Sequence, residues 1–264
     1  MATPVYEVYA VKYAHHERRS SENFLGGDVH DVPMPLDYFV WLVRGEGRDI
    51  VVDSGFSAEM AKKRRRNHLR CPVEGLKLLG CDARLVRDVV VTHLHYDHAG
   101  NFDLFPEATL HIQDREMQYA TGRYMCQECF RGAFEVEDVV AMVRRVYAGR
   151  VRFHDGDAEV APGVSVHHIG GHTLGLQAVR VHTARGWVVL ASDAAHLYAN
   201  FRDARPFPIV LDVGRMVDGY ARLRTLADSD DHVVPGHDPL VMSRYPAPSD
   251  ALSGIVARLD VAPG

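Results

Sequence analysis

The chain has 264 residues, 25% of them charged and 47% hydrophobic, with a formal net charge of −5. These are the proportions of a soluble globular protein, long enough to bury a substantial core as one large α/β domain or two small ones. The acidic balance argues against a nucleic-acid partner, and no apolar run approaches the ~20 residues a membrane span needs.

In chain order, residues 1–7 lack the basic and apolar regions of a signal peptide. Residues 6–13 read as an opening strand, and 20–35, rich in Gly, Asp, Pro and Ser, as a loop. Residues 38–43 and 49–53 are strands joined around Gly45-Glu46-Gly47 as a hairpin. Residues 58–69 predict a helix whose basic run, 62–66, reads as a solvated face; steering of anionic substrates toward a site is the alternative. A second helix spans 72–79. Residues 89–91, three valines, predict a buried strand, followed by a short helix at 100–105, a strand at 109–112 and a helix at 114–120.

Residues 122–132 form an insertion with Tyr124, Met125 and Phe130 that suits a lid or an oligomer contact, such as a homodimer. It carries Cys126 and Cys129, read as a reduced pair in an exposed segment. Together with Cys71 and Cys81 they show no disulfide framework, which points to the cytoplasm. A helix at 136–146 follows, then strands at 151–153, 164–169, 178–182 and 187–192 and a helix at 214–228. The Pro- and Ala-rich C-terminus is expected to be mobile.

The chemistry begins where the valine strand ends, in Thr92-His93-Leu94-His95-Tyr96-Asp97-His98-Ala99-Gly100-Asn101. Three histidines and an aspartate delivered to one sheet edge have little structural use, because each buried imidazole needs its own partner. Imidazole and carboxylate are the donors zinc takes in hydrolytic sites. Further candidates follow singly, each at or past the end of an apolar strand: His172, Asp193 and His237. Seven donors suit two metals with one shared carboxylate.

The ten-residue motif, with the later Gly-His-Thr, Ser-Asp-Ala and Pro-Gly-His-Asp and the earlier Asp53-Ser54-Gly55, resembles the metallo-β-lactamase superfamily. Within it the chain is most similar to the N-acyl homoserine lactonases, from about Tyr38 to His237. The resemblance implies a single-domain, four-layer αββα sandwich over residues 1–264. It implies that His93, His95 and His172 hold one metal, that Asp97, His98 and His237 hold the other, and that Asp193 bridges. Two zinc ions are expected, with iron or manganese as alternatives; a bridging hydroxide would open a lactone while Asp97 carries the proton. Asp53 is expected to be a structural turn and not a ligand. The loop at 20–35 would lie at the mouth, with Phe24, Leu25 and Met34 as substrate contacts, together with Phe130.

One departure stands out. Those lactonases place a tyrosine three residues past the bridging aspartate, where this chain has His196, with Tyr198 nearby as a substrate contact. Imidazole can polarise a carbonyl or donate a proton, so His196 is the second catalytic candidate beside Asp97. The substrate is then a small molecule, a homoserine lactone or related cyclic ester. The alternatives are a glyoxalase-II-like thioesterase, a cyclic amide or β-lactam hydrolase, or a mononuclear-iron sulfur dioxygenase.

Overall fold

A computed structural model describes residues 2–264; of the N-terminal stretch judged to lack a signal peptide, Met1 lies outside them. The first sheet takes β1 (Glu7–His16), β2 (Leu36–Gly45), β3 (Arg48–Val52), β4 (Asn67–His68), β5 (Asp88–Val90), β6 (Thr109–Gln113) and β7 (Val151–His154). The second takes β8 (Ala158–Ala161), β9 (Val164–His168), β10 (Gln177–Thr183), β11 (Gly186–Ser192) and β12 (Val233–Pro235), before β13 (Val256–Arg258) returns to the first. Strand order is β13-β1-β2-β3-β5-β6-β7, with β4 beside β1, and β12-β11-β10-β9-β8. From β3 to β7 the pairs are parallel, as are β11 and β12.

The uninterrupted apolar runs of β1 to β3 follow from cover on both faces. Val8, Ala10, Phe39, Trp41, Ile50 and Val52 belong to the core shared with the second sheet. Their neighbours Tyr9, Val11, Val40, Leu42 and Val51 pack outward. Helices close that outer face: α1 (Ser20–Asn23) is a single turn, whereas α2 (Ala58–Arg64) and α3 (Pro72–Leu78) bring Ala61 and Leu76. The chain then forms α4 (Tyr96–Ala99), α5 (Asp114–Ala120), α6 (Glu128–Arg131) and α7 (Val136–Tyr147), the last contributing Met142. Beyond α8 (Tyr198–Arg202), α9 (Val213–Leu226) covers the second sheet through Met216, Tyr220 and Leu223; α10 (Leu240–Arg244) follows. Two sheets between helices make the expected four-layer αββα sandwich. No helix among the described residues is long and apolar enough to cross a membrane.

Three expectations are corrected. The helix foreseen over 58–69 ends at Arg64, because Arg65 turns left-handed (φ 56°) and residues 67 and 68 pair with β1. The basic run is therefore not one solvated face: Lys62, Lys63 and Arg65 are exposed, and Arg64 and Arg66 turn inward. The C-terminal segment is tied to the body, with β13 on β1, buried Asp260 accepting from Val8 N and Gly264 N donating to Arg244 O.

On α7, half-buried Asp138 has one carboxylate oxygen without a hydrogen-bond partner. Burial, then the charge of Glu135, pushes Asp138 up to about 7. The folded chain thus keeps a proton that the unfolded chain releases near its ordinary pKa of 3.8. This contribution to stability is present at acidic pH and is lost as pH rises toward 7. Asp138→Asn should therefore raise Tm at pH ~8 and change it little at pH ~4. An equal gain at both would show that Asp138 is ionised throughout.

Candidate metal centre

Every expected ligand sits just past a strand. Val91 and Thr92 extend β5 to His93 and His95, and α4 starts at once, placing Asp97 and His98 on its first turn. His172 follows β9 through Gly170 and Gly171, both at positive φ. Asp193 follows Ser192, the last residue of β11 and itself left-handed (φ 46°). His237 follows β12 across Gly236, where a Cβ would stand 2.6 Å from Ser192 O, so only glycine fits.

These donors converge in two groups, His93, His95, His172 and Asp193, and Asp97, His98 and His237. Asp193 joins them. Its Oδ2 lies 3.2 Å from His172 Nε2 and 3.7 Å from His93 Nε2, and its Oδ1 3.0 Å from His237 Nε2 and 3.2 Å from His98 Nε2. Asp97 Oδ2 is 3.7 Å from both His98 and His237 Nε2. His93 Nε2, His98 Nε2 and Asp193 Oδ1 are buried with no hydrogen-bond partner. Buried polar atoms are seldom left so, and inward-facing orphans on a His/Asp set fit a pair of cations.

The other face of each ring explains its aim. His98 Nδ1 meets Asp53 Oδ2 at 2.7 Å, while His172 Nδ1 donates to Ile209 O (2.6 Å) and His237 Nδ1 to Asp37 O (2.9 Å). Holding Nδ1 from outside fixes the tautomer and points Nε2 at the centre. Asp53 also accepts from Thr92 N and Oγ1, in keeping with the structural role expected of it. Glu116, fully buried, accepts from Leu94 N, Thr173 Oγ1 and Gly175 N. It thereby ties the His93–His95 loop to the His172 loop. No sequence signal marks Glu116, since it occupies an ordinary position in α5.

Charge separates the histidines. Burial, then neighbouring imidazoles, holds His93 and His95 well below the usual range. Burial also opposes charge on His98, but Asp193, Asp53 and Asp97 outweigh it and raise that pKa. His237 is raised likewise, chiefly by Asp193 against its burial. Asp193 lies well below the carboxylate range, because His237, His98 and His196 overcome its burial.

A cavity of about 380 Å³ opens over the cluster, lined by His95, Asp97, His172, Asp193, His196 and His237 among others. Larger cavities, of about 630 and 840 Å³, lie elsewhere without converging ligands. His196 stacks on Phe207 with ring centroids 3.5 Å apart, and its Nε2 is 2.9 Å from Asp193 Oδ2. Burial brings it down to about 3 against the pull of Asp193, which favours the neutral ring.

Of the foreseen substrate contacts, Phe130 lines this cavity, with Cys129 beside it. The others do not. Phe24 is buried beneath the Arg205 guanidinium, 3.6 Å above its ring. Met34 sits on the same loop, its backbone bonded to Arg18 and Asn23 and its side chain outside the cavity wall. Leu25 is exposed away from it, and Tyr198 is buried in α8 under Arg202 and Arg244. The wall is formed instead by Tyr38, Arg18, the segment from Pro208 to Val210, Tyr96 of the motif, and Arg64 and Arg66 of the basic run, none of them read as a substrate contact from the sequence.

Residues 34–237 match the family model of the metallo-beta-lactamase superfamily. The chain belongs to that superfamily. An N-acyl homoserine lactonase of Bacillus thuringiensis is 28% identical over 62% of this chain, which spans about three fifths (60%) of that relative. The AttM N-acyl homoserine lactonase of Azorhizobium caulinodans is 29% identical over 81% of this chain and 85% of its own. Among solved structures, a quorum-quenching N-acyl homoserine lactone lactonase superposes with a TM-score of 0.75 at 24% identity, over 91% of this chain and 95% of that one. An N-acyl homoserine lactone hydrolase with N-hexanoyl-L-homoserine at its catalytic metal centre gives 0.73 at 22% identity, over 90% and 95%. At these identities the likeness shows a common fold.

The candidate ligands are aimed by their outer partners, and Asp53 is the most exacting of these because it also holds a left-handed backbone (φ 61°). Asparagine tolerates that conformation, so Asp53→Asn isolates the lost charge beside His98. Zinc affinity measured by chelator competition should fall about 10–100-fold with the fold retained. Unchanged affinity would show that His98 is aimed without Asp53.

Proposed function

We propose that the chain is a metal-dependent hydrolase that opens a lactone, with two divalent cations, zinc first among them, at the Asp193 cluster. The observation that carries this reading is seven buried donors in two groups sharing one carboxylate, with orphaned atoms facing inward beneath an open cavity. Similarity to N-acyl homoserine lactonases over most of the chain supports the choice of a cyclic ester. His93, His95 and His172 would hold one cation, Asp97, His98 and His237 the other, and Asp193 both. When bound, the pair lowers the pKa of water and stabilises negative charge on oxygen.

The chain's own part is to position and to move protons. Water adds to the ring carbonyl carbon and the ring C–O bond breaks, leaving a hydroxy acid. The proton that water sheds passes to the carboxylate of Asp97, at the cavity floor, and from there to the departing ring oxygen. The hydroxyls of Tyr38 and Tyr96, 3.4 Å apart on the wall, are available to hydrogen-bond the substrate. Burial pushes Tyr38 up to about 12, which keeps its proton in place. Residues 122–132 act as a lid edge through Cys129, Phe130 and Gly132, braced where Arg64 donates to Gly132 O and Phe134 O.

The contact between His196 and Asp193 supports a positioning role: a neutral imidazole donating from Nε2 to the shared carboxylate, and not a proton donor to substrate. His196→Phe should then lower metal affinity and kcat together, and His196→Gln, whose amide can reach the same oxygen, should restore part of the metal affinity. Full metal loading in His196→Phe with a ~10²–10³-fold loss of kcat would instead assign His196 to the substrate carbonyl.

The whole reading is tested by metal and substrate together. The purified protein should approach two metal equivalents per chain, and Asp193→Ala should fall to one or fewer. Chelation should abolish turnover of a lactone and zinc should restore it, while a glutathione thioester stays intact. Full activity with one metal, or thioester cleavage in preference to lactone, would refute it.

A further inference from the structure

The cavity over the metal cluster has a cationic wall for which a neutral lactone has no use. Arg66 leaves α2 after the left-handed turn at Arg65 and points back into this wall, where Arg18 joins it. Arg66 donates from Nε to Tyr96 Oη (3.0 Å) and from Nη1 to His16 Nε2 (3.2 Å) and Arg64 O (2.7 Å). All three acceptors are uncharged. Burial first, then the charges of Arg66 and Arg18, brings His16 down to about 4 and keeps it neutral. The negative charge that reaches Arg66 is that of Asp97, which the metal cluster already engages.

Arg18 is similar. Its Nη2 donates to Glu22 O (2.6 Å), and its Nε is buried with no hydrogen-bond partner. The carboxylate near it, Glu22, is half-exposed at 4.0 Å and takes the Arg19 backbone N–H on its other oxygen. Arg64 serves as the contrast, because Glu135 and two carbonyl oxygens take up its guanidinium. It braces the fold, whereas Arg18 meets only the exposed Glu22 carboxylate, at 4.0 Å, and Arg66 is in no ion pair among the described residues.

Half-buried cations with a weak counter-ion or none are costly, and a guanidinium fork matches a planar carboxylate. The wall also adjoins the chemistry: Tyr96 Oη is 3.4 Å from Tyr38 Oη, and the Tyr38 ring packs 5.0 Å from that of His237. We infer that Arg18 and Arg66 form a carboxylate-binding subsite, so that the substrate is a lactone bearing an acidic group away from its ring carbonyl. This rests on the lactone reading above and narrows its substrate class, since N-acyl homoserine lactones are neutral and would leave Arg66 without a counter-ion and Arg18 with Glu22 alone.

The test compares γ-butyrolactone-β-carboxylate with its carboxamide on the zinc-loaded protein. The carboxylate should be favoured in kcat/KM by about tenfold or more, the scale of one charge-assisted hydrogen bond. Arg66→Gln and Arg18→Gln should each shrink that ratio through KM, with metal content unchanged. Arg66→Lys, which keeps the charge and loses the fork, should fall between. A second arm needs no turnover: calorimetry of cyclopentanecarboxylate against cyclopentanecarboxamide on the same proteins. An Arg66-dependent preference for the carboxylate there, with neither lactone hydrolysed, would uphold the subsite and refute the lactone reading. A preference that survives in both glutamine variants would place the carboxylate on the metals and overturn the subsite, as would equal treatment of the paired ligands by the wild-type protein.

Discussion

Asp193 sets the terms for the rest of the structure. Its two carboxylate oxygens lie within 3.7 Å of five imidazole nitrogens, buried where the two sheets meet. A carboxylate there is tolerable only if each facing group is held from behind, because the inward atoms cannot satisfy one another by hydrogen bonds alone. That need explains why backbone carbonyls of Ile209 and Asp37 and the carboxylate of Asp53 are spent on ring nitrogens. It also explains the left-handed residues Asp53 and Ser192, each at the end of a strand that must stop and turn within one residue. Such strain persists where surrounding contacts over-determine it, and both are fully buried.

The sandwich is the simplest scaffold for that demand. Parallel strands all finish on one side, so β5 places its histidines beside the turn from β3 that carries Asp53. The second sheet contributes single donors from β9, β11 and β12, and Glu116 links across the seam. Donors that are far apart in sequence thereby meet with no long loop to order.

Much of this was legible because its physics is local. Clustered histidines behind a valine strand have one economical explanation, and the continuous apolar runs announce strands covered on both faces. What escaped was decided by distance in space. Arg65 ends α2 early because the following residues pair with β1, a partner fifty residues away that helical propensity does not see. β8 and β13, four and three residues long, are too short to announce themselves, and their partners, not their own pattern, make them strands. Proximity in sequence or likeness to the lactonases places Phe24, Met34 and Tyr198 at the mouth. The loop instead buries Phe24 under Arg205, and the helical turn at Tyr198 carries its ring away from Asp193. The wall residues Tyr38 and Tyr96 lie within β2 and α4, where each reads as core or motif.

The basic run shows most clearly how the same residues separate by geometry. At −5 the chain as a whole does not attract an acid from solution, and exposed charges are screened within about 10 Å at ordinary salt. Lys62, Lys63 and Arg65, exposed on the surface, therefore contribute little discrimination. Arg66, two residues beyond the end of α2 and half-buried against Tyr96, acts in a less polar setting where charge–charge attraction is stronger. A run that reads as uniform in sequence thus divides into solvated charge, a brace on Glu135 and a cation facing the cavity. The single left-handed residue at 65 makes that division.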